Sequence, residues 1–154
     1  MESVVEIDRG ASEVFAFVAD MTNAPRWQAG LHSVRRTTPG PVRVGSEHVF
    51  ERRFAGRTLA SRNRITDYDP PRRIGFEIPE GWISGRASYQ VVPIGARSRV
   101  TCRMEFAAAG PLRLVEPVLA RILDRDSRRD DQRLKALLEG QPTEVPPRTS
   151  VEQM

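Results

Sequence analysis

The sequence predicts an α+β fold, a twisted antiparallel sheet covered on one face by a long C-terminal helix. Three observations carry this. From residue 31 to 107, short segments alternate apolar and polar residues between Gly- and Pro-rich turns, the pattern of a strand meander. From residue 110 to 140 the period changes: Leu112, Val115, Leu119, Ile122, Leu123, Leu134, Leu137 and Leu138 keep a helical spacing. Ahead of the meander, one brief alternating segment leads into two short helical ones. Only the last helix is long enough to cover the apolar face of such a sheet.

The elements follow in order. Residues 4–8 alternate weakly and are short enough for an edge strand. "ASEVFAFVADM" places Val14, Phe15, Phe17 and Val18 on one side of a helix, with Gly10 or Ser12 near its start and Glu13 in its first turn. Asn23 is the expected cap of a second, very short helix running to Trp27, with Pro25 tolerated in its first turn and Gly30 ending it. The strands are "LHSVRRTT", then "SEHVFERRF" and "RTLASRNRITDYD" joined at Ala55 and Gly56, then "RIGFEI", "ISGRASYQVV" and "SRVTCRMEFA". "PGPVRVG", "PPRR", "PEGW" and "PIGAR" are the turns between them. The last helix opens with Pro111 just inside its start and closes at Gly140, and Pro117 predicts a kink or break in its first turns.

Composition narrows the classes. The chain of 154 residues is read as one domain over 1–140, long enough to enclose a core and a modest cavity. Residues 141–154 hold three prolines and no apolar period, and are expected to be a disordered tail. The first residues show no basic-then-apolar leader and no apolar run reaches a membrane span, so a soluble, cytoplasmic protein without stable membrane insertion is expected. One cysteine, Cys102, and two histidines argue against a zinc site; no metal and no cofactor are expected. The net charge of +4 invites a nucleic-acid reading, but the 24 basic residues, all arginine except Lys135, are scattered and often sit beside acids. No nucleic-acid partner is expected.

Five stretches in this order resemble the START-related SRPBCC superfamily, the polyketide cyclase/dehydrase-like, birch-pollen-allergen-like helix-grip domains: "VFAFVAD", the N-x-P-x-W pattern of "NAPRW", "VRVGSE", "ITDYDPPRRIGFE" and "RLKALLE". The resemblance covers about residues 3–140. It implies a helix-grip fold: a seven-stranded curved antiparallel sheet around the long C-terminal helix, with two short helices between strands 1 and 2. It also implies an internal pocket for a small hydrophobic or amphipathic molecule. Relatives include lipid carriers, aromatase/cyclases and hormone receptors, so the resemblance implies no single reaction.

Alternation along the strands assigns their faces. Phe50, Phe54, Leu59, Ile65, Ile74, Phe76, Ile78, Tyr89, Val91, Val100, Met104 and Phe106 should face the helix. The polar residues of the same parity, His48, Arg52, Ser61, Asn63 and Cys102, should join them. At 100° per residue, Asp126 and Asp130 fall in the helix stripe that carries Leu119, Ile122 and Leu137, with Ser127 at its edge. Two carboxylates facing an apolar sheet are costly unless paired, and Arg52 or His48 are available partners. The expected ligand pocket is therefore walled by Phe50, Phe54, Leu59, Ser61, Ile65, Phe76, Tyr89, Cys102, Met104, Phe106 and Ile122, and ends in a polar cluster of His48, Arg52, Asn63, Asp126 and Asp130. The competing reading makes "DRDSRRDD" a solvated run of ion pairs one helical turn apart.

For catalysis, the acid/base candidates are His48, Tyr89 and Asp130; hydrolase nucleophile motifs and phosphate loops are absent from the sequence. Trp82, at an expected hairpin tip, offers a lid over the pocket, a homodimer contact, or a residue folded onto its own hairpin. Trp27 is expected as an apolar plug where the two short helices meet. Three functions stand open: a carrier or sensor of a small hydrophobic ligand, an aromatase/cyclase-type enzyme, and a surface interaction module whose cavity is filled.

Overall fold

Alternation becomes seven strands, as the sequence predicts. The computed structural model describes residues 1–54, 56–81 and 83–140, without the side chains of Phe54, Leu112, Leu119 and Leu123. The readings of Phe54 as a pocket wall, of Ala55 in a turn, of Trp82 at a hairpin tip and of a disordered tail at 141–154 lie outside the described residues. The elements are β1 (Glu2–Ile7), α1 (Ala11–Ala19), a 3₁₀ helix (Met21–Arg26), β2 (Leu31–Arg36), β3 (Glu47–Phe54), β4 (Arg57–Asp69), β5 (Arg73–Ile78), β6 (Ile83–Ile94), β7 (Arg97–Ala108), a second 3₁₀ helix (Gly110–Val115) and α2 (Glu116–Leu138).

The strands lie in the order β1-β7-β6-β5-β4-β3-β2, each antiparallel to its neighbours. From β2 onward each strand pairs with the next, so turn chemistry sets the register. β1 instead pairs with β7, which leaves β1 and β2 at opposite edges and obliges α1 and the first 3₁₀ helix to cross between them. Side chains of one parity from every strand meet on the inner face, where Val5, Ile7, Phe50, Ile65, Ile74, Phe76, Tyr89, Val91, Val100 and Cys102 are buried with Val14, Phe15 and Val18 of α1. On the other face arginines pair with acids across strands: Arg103 with Glu2 at 2.8 Å, Arg99 with Glu6 at 3.1 Å, and Arg64 with Glu77. Exposed pairs of this kind contribute about 0–1 kcal/mol each.

Local capping departs from expectation at one point. The Asp20 carboxylate, not Asn23, accepts from the Thr22 amide (3.2 Å) and hydroxyl (2.6 Å) and so caps the first 3₁₀ helix. A carboxylate can accept both bonds at once. Asn23 instead donates from Nδ2 to the Phe17 carbonyl at 3.2 Å, tying the 3₁₀ helix back to α1. That helix ends at Arg26, and the Trp27 amide closes it on the Ala24 carbonyl at 3.1 Å, ahead of Gly30.

The break expected at Pro117 is real. The chain turns as 3₁₀ helix through Val115, and α2 begins at Glu116 with Pro117 in its first turn, where a missing N–H leaves no helix bond unmade. Only the C-terminal half of α2 clasps the sheet. Leu134 is fully buried, Lys135 Nζ donates to the Glu6 carbonyl (2.8 Å), and Glu139 accepts from the Asp8 amide (2.9 Å) and pairs with Lys135 (2.8 Å). The N-terminal half exposes Val118 and Ile122. This is a helix-grip fold: a seven-stranded curved antiparallel sheet around a long C-terminal helix, with two short helices between strands 1 and 2. Among the described residues, no helix is long and apolar enough to cross a membrane.

Candidate functional site

Where the first 3₁₀ helix delivers the chain into β2, Trp27 turns inward and is almost completely buried. Its ring meets Tyr89 edge-on at 5.9 Å, Tyr89 lies 6.4 Å from Phe76, and Phe76 lies 5.9 Å from Phe50. These rings, with Met104 and Phe106 of β7, wall a cavity of about 90 Å³ between the sheet and α2. The expected plug thus also forms a wall.

One end of this cavity is polar. Gln28 donates from Nε2 to the Tyr89 hydroxyl at 3.2 Å, and Arg52, Asp126, Ser127, Asp130 and Asp131 complete the lining. Burial pushes the Asp130 carboxyl up to about 6, although its Oδ1 accepts from the Ala29 amide (3.2 Å) and lies 3.8 Å from Arg133. Asp131, buried on the same helix, is also raised by burial, with the Ser3 hydroxyl acting against it. Arg52 is lowered by burial and held up by Tyr89 and Asp130. Burial also pushes Tyr89 well above the usual phenol range and the Cys102 thiol up to about 12, so Cys102 carries no thiolate nucleophile at neutral pH.

A wider vestibule of about 530 Å³ adjoins the cavity, and the two share Met1, Met104 and Phe106 in their walls. The vestibule lies between Ile83, Ser84 and Gly85 of β6 and Glu116 and Ala120 of α2. It exists because the first turns of α2 stand off the sheet.

The structure therefore gathers Phe50, Arg52, Phe76, Tyr89, Cys102, Met104, Phe106, Asp126 and Asp130 around one space. Other expected members do not join it. His48 lines a separate cavity beside α1, and its cross-strand neighbour Asn63 is buried behind it. Ser61 and Ile65 line neither cavity, and Ile65 packs in the core. Leu59 has the right parity but is 39% exposed, because β3 and β4 run past the helix toward their shared turn. Ile122 is 49% exposed, and Asp126 is an exposed residue at the rim. The helix phase explains both: the buried stripe runs through Ser127, Asp131 and Leu134, one residue on from the stripe drawn through Leu119 and Ile122. Anchoring on Leu134 and stepping back three and seven positions would have found Asp131 and Ser127. Gln28, too, was not marked by any period. Among the described residues no cluster of His, Cys, Asp and Glu is arranged to hold a metal ion.

Comparison with known proteins agrees with this architecture. The chain is similar to TTHA0849 from Thermus thermophilus, at 13% identity over 89% of this chain and 97% of the other, with a TM-score of 0.73. It is similar to the ZhuI aromatase/cyclase from Streptomyces sp. R1128, at 18% identity over 90% and 92% of the two chains, with a TM-score of 0.73. Ara h 8.0201 aligns at 14% identity over 91% and 97%, with a TM-score of 0.69. At these identities the likeness is one of fold. No curated protein matches the chain. Residues 1–139 match the family described as "Polyketide cyclase / dehydrase and lipid transport", and the chain belongs to that family.

Proposed function

We propose that this protein binds a small hydrophobic or amphipathic molecule between its sheet and C-terminal helix, as a carrier or sensor. The observation that carries the reading is the aromatic-walled cavity that ends in Gln28, Arg52, Asp130 and Asp131 and shares a wall with the vestibule. Apolar walls supply affinity through burial, and a few convergent polar groups orient a head group. The inner cavity holds only a few heavy atoms, so a larger ligand enters by displacing Met104 or Phe106, both only partly buried.

The test is titration with a fluorescent fatty acid, with native mass spectrometry alongside. Saturable binding that Met104→Trp weakens tenfold or more, and Ile122→Ala leaves unchanged, is the expected result. A clean apo mass with no displaceable fluorescence removes the reading and favours an interaction module with a filled cavity.

One observation favours a second reading, cyclase or dehydrase catalysis. Asp130, with its pKa raised to about 6, exchanges a proton near neutral pH and shares the cavity with the Tyr89 hydroxyl and Arg52. His48 has no part in this, since it faces the other cavity. On a poly-β-ketone substrate, Asp130→Asn would abolish turnover and leave affinity within tenfold; loss of affinity alone identifies a carrier.

A further inference from the structure

A second cavity, of about 690 Å³, lies between α1 and the far end of the sheet. Phe15, Ala16 and Ala19 of α1, Val42, Tyr68 and the cis-linked Pro70 and Pro71 give it apolar walls. Its deepest polar group is His48, 1% exposed, whose Nδ1 has no hydrogen-bond partner among the described residues. Directly across the strand pair stands Asn63, 0% exposed, with Nδ2 and Oδ1 both unpartnered among the described residues. Two adjacent polar side chains sealed from water without partners are costly to keep, and apolar residues of similar size would pack there at no such cost. A bound molecule that hydrogen-bonds the His48 imidazole, the member of the pair that lines the cavity, offsets part of that cost.

The rim does not select a net charge. Arg36, opposite His48 on β2, is balanced by Asp20, whose carboxylate is already engaged by Thr22. Burial, aided by the Arg36 guanidinium, lowers the His48 pKa against the opposing pull of Asp20, which keeps the imidazole neutral at physiological pH. A neutral imidazole offers one donor and one acceptor. The complementary group both donates and accepts, as a hydroxyl does, and the flat walls formed by Phe15, Tyr68 and the prolines suit a ring.

We propose that this cavity is a second binding site, separate from the sheet–helix cavity, for a neutral aromatic molecule bearing a hydroxyl group, with His48 as its polar floor and Asn63 buried behind it. The site is independent of the carrier reading.

The probe is 2-naphthol, followed by NMR on the full chain, with naphthalene and 2-naphthoate as controls. The expected result is saturable shifts at the His48 imidazole and at Ala16, Ala19 and Val42, with naphthalene and 2-naphthoate at least tenfold weaker. In the double variant His48→Leu, Asn63→Leu, 2-naphthol binding falls at least tenfold while the melting temperature of the free protein holds or rises. Should that variant not fold, Ala16→Phe, at an exposed position of the same wall, blocks the cavity and gives the same loss. Three outcomes overturn the proposal: shifts confined to Tyr89 and Met104 in the other cavity, equal or tighter binding of naphthalene or 2-naphthoate, or unchanged 2-naphthol affinity in the variants.

Discussion

Asp130 shows how one residue carries both chemistry and stability. Its folded-state pKa of about 6 stands above the ordinary 3.8 because burial disfavours the carboxylate more than Ala29, Arg133 and Arg52 favour it. Between those two values the folded chain binds more protons at this position than the unfolded one. Its stabilising contribution is therefore full below about 3.8 and is lost as the pH rises through about 6. His48, lowered by burial, acts in the opposite sense, its contribution being lost as the pH falls below 6.5. Asp130→Asn isolates the first effect, since its amide oxygen can still accept from Ala29. Urea unfolding should find the variant more stable than the native chain at pH 7.5 by about 1–3 kcal/mol, with the gain vanishing at pH 4. A constant difference across that range would assign the raised pKa no role in stability.

At the level of elements, β6 needs a glycine where it crosses the vestibule. Gly85 has φ of 154°, and a Cβ there would stand 2.0 Å from the Glu105 carbonyl oxygen and 2.7 Å from Phe106 Cδ1. The oxygen belongs to the backbone of the paired strand β7 and cannot swing aside. Gly85→Ala should cost about 2 kcal/mol or more in chemical denaturation, and a loss below about 0.5 kcal/mol would show that the strands part easily there. β4 carries a different irregularity: its register with β5 shifts between Ile65 and Asp67, and beyond that point Tyr68 packs against the core near Phe15. Strict alternation does not reveal such a bulge, since one extra residue reverses the faces that follow.

For the whole molecule, the grip is uneven. The last turns of α2 join the core through Leu134 and hydrogen-bond to β1 and the residue after it, whereas the first turns leave Val118 and Ile122 exposed. Leu134→Ala should lower stability by about 2–5 kcal/mol, the usual cost of truncating a fully buried leucine. Ile122→Ala should change it by no more than about 0.5 kcal/mol. Equal losses in thermal or urea unfolding would mean that the helix is held along its full length. A helix fixed at one end and standing off at the other is what leaves the vestibule accessible.

The sequence by itself determined the α+β class, the strand meander, the closing helix, the break at Pro117 and the inward parity of Phe50, Arg52, Phe76, Tyr89 and Met104. These follow from local period and turn chemistry, which act within a few residues. Tertiary structure alone decided that His48 and Arg52, on the same face of one strand, open into different cavities. It also decided that Asp131 rather than Asp126 is buried, and that Leu59 lies beyond the reach of the helix. The physical reason is that parity says which way a side chain points, while its surroundings depend on which element packs over that point. Here that is settled by α1 and the first 3₁₀ helix crossing one end of the sheet and by α2 gripping through Leu134.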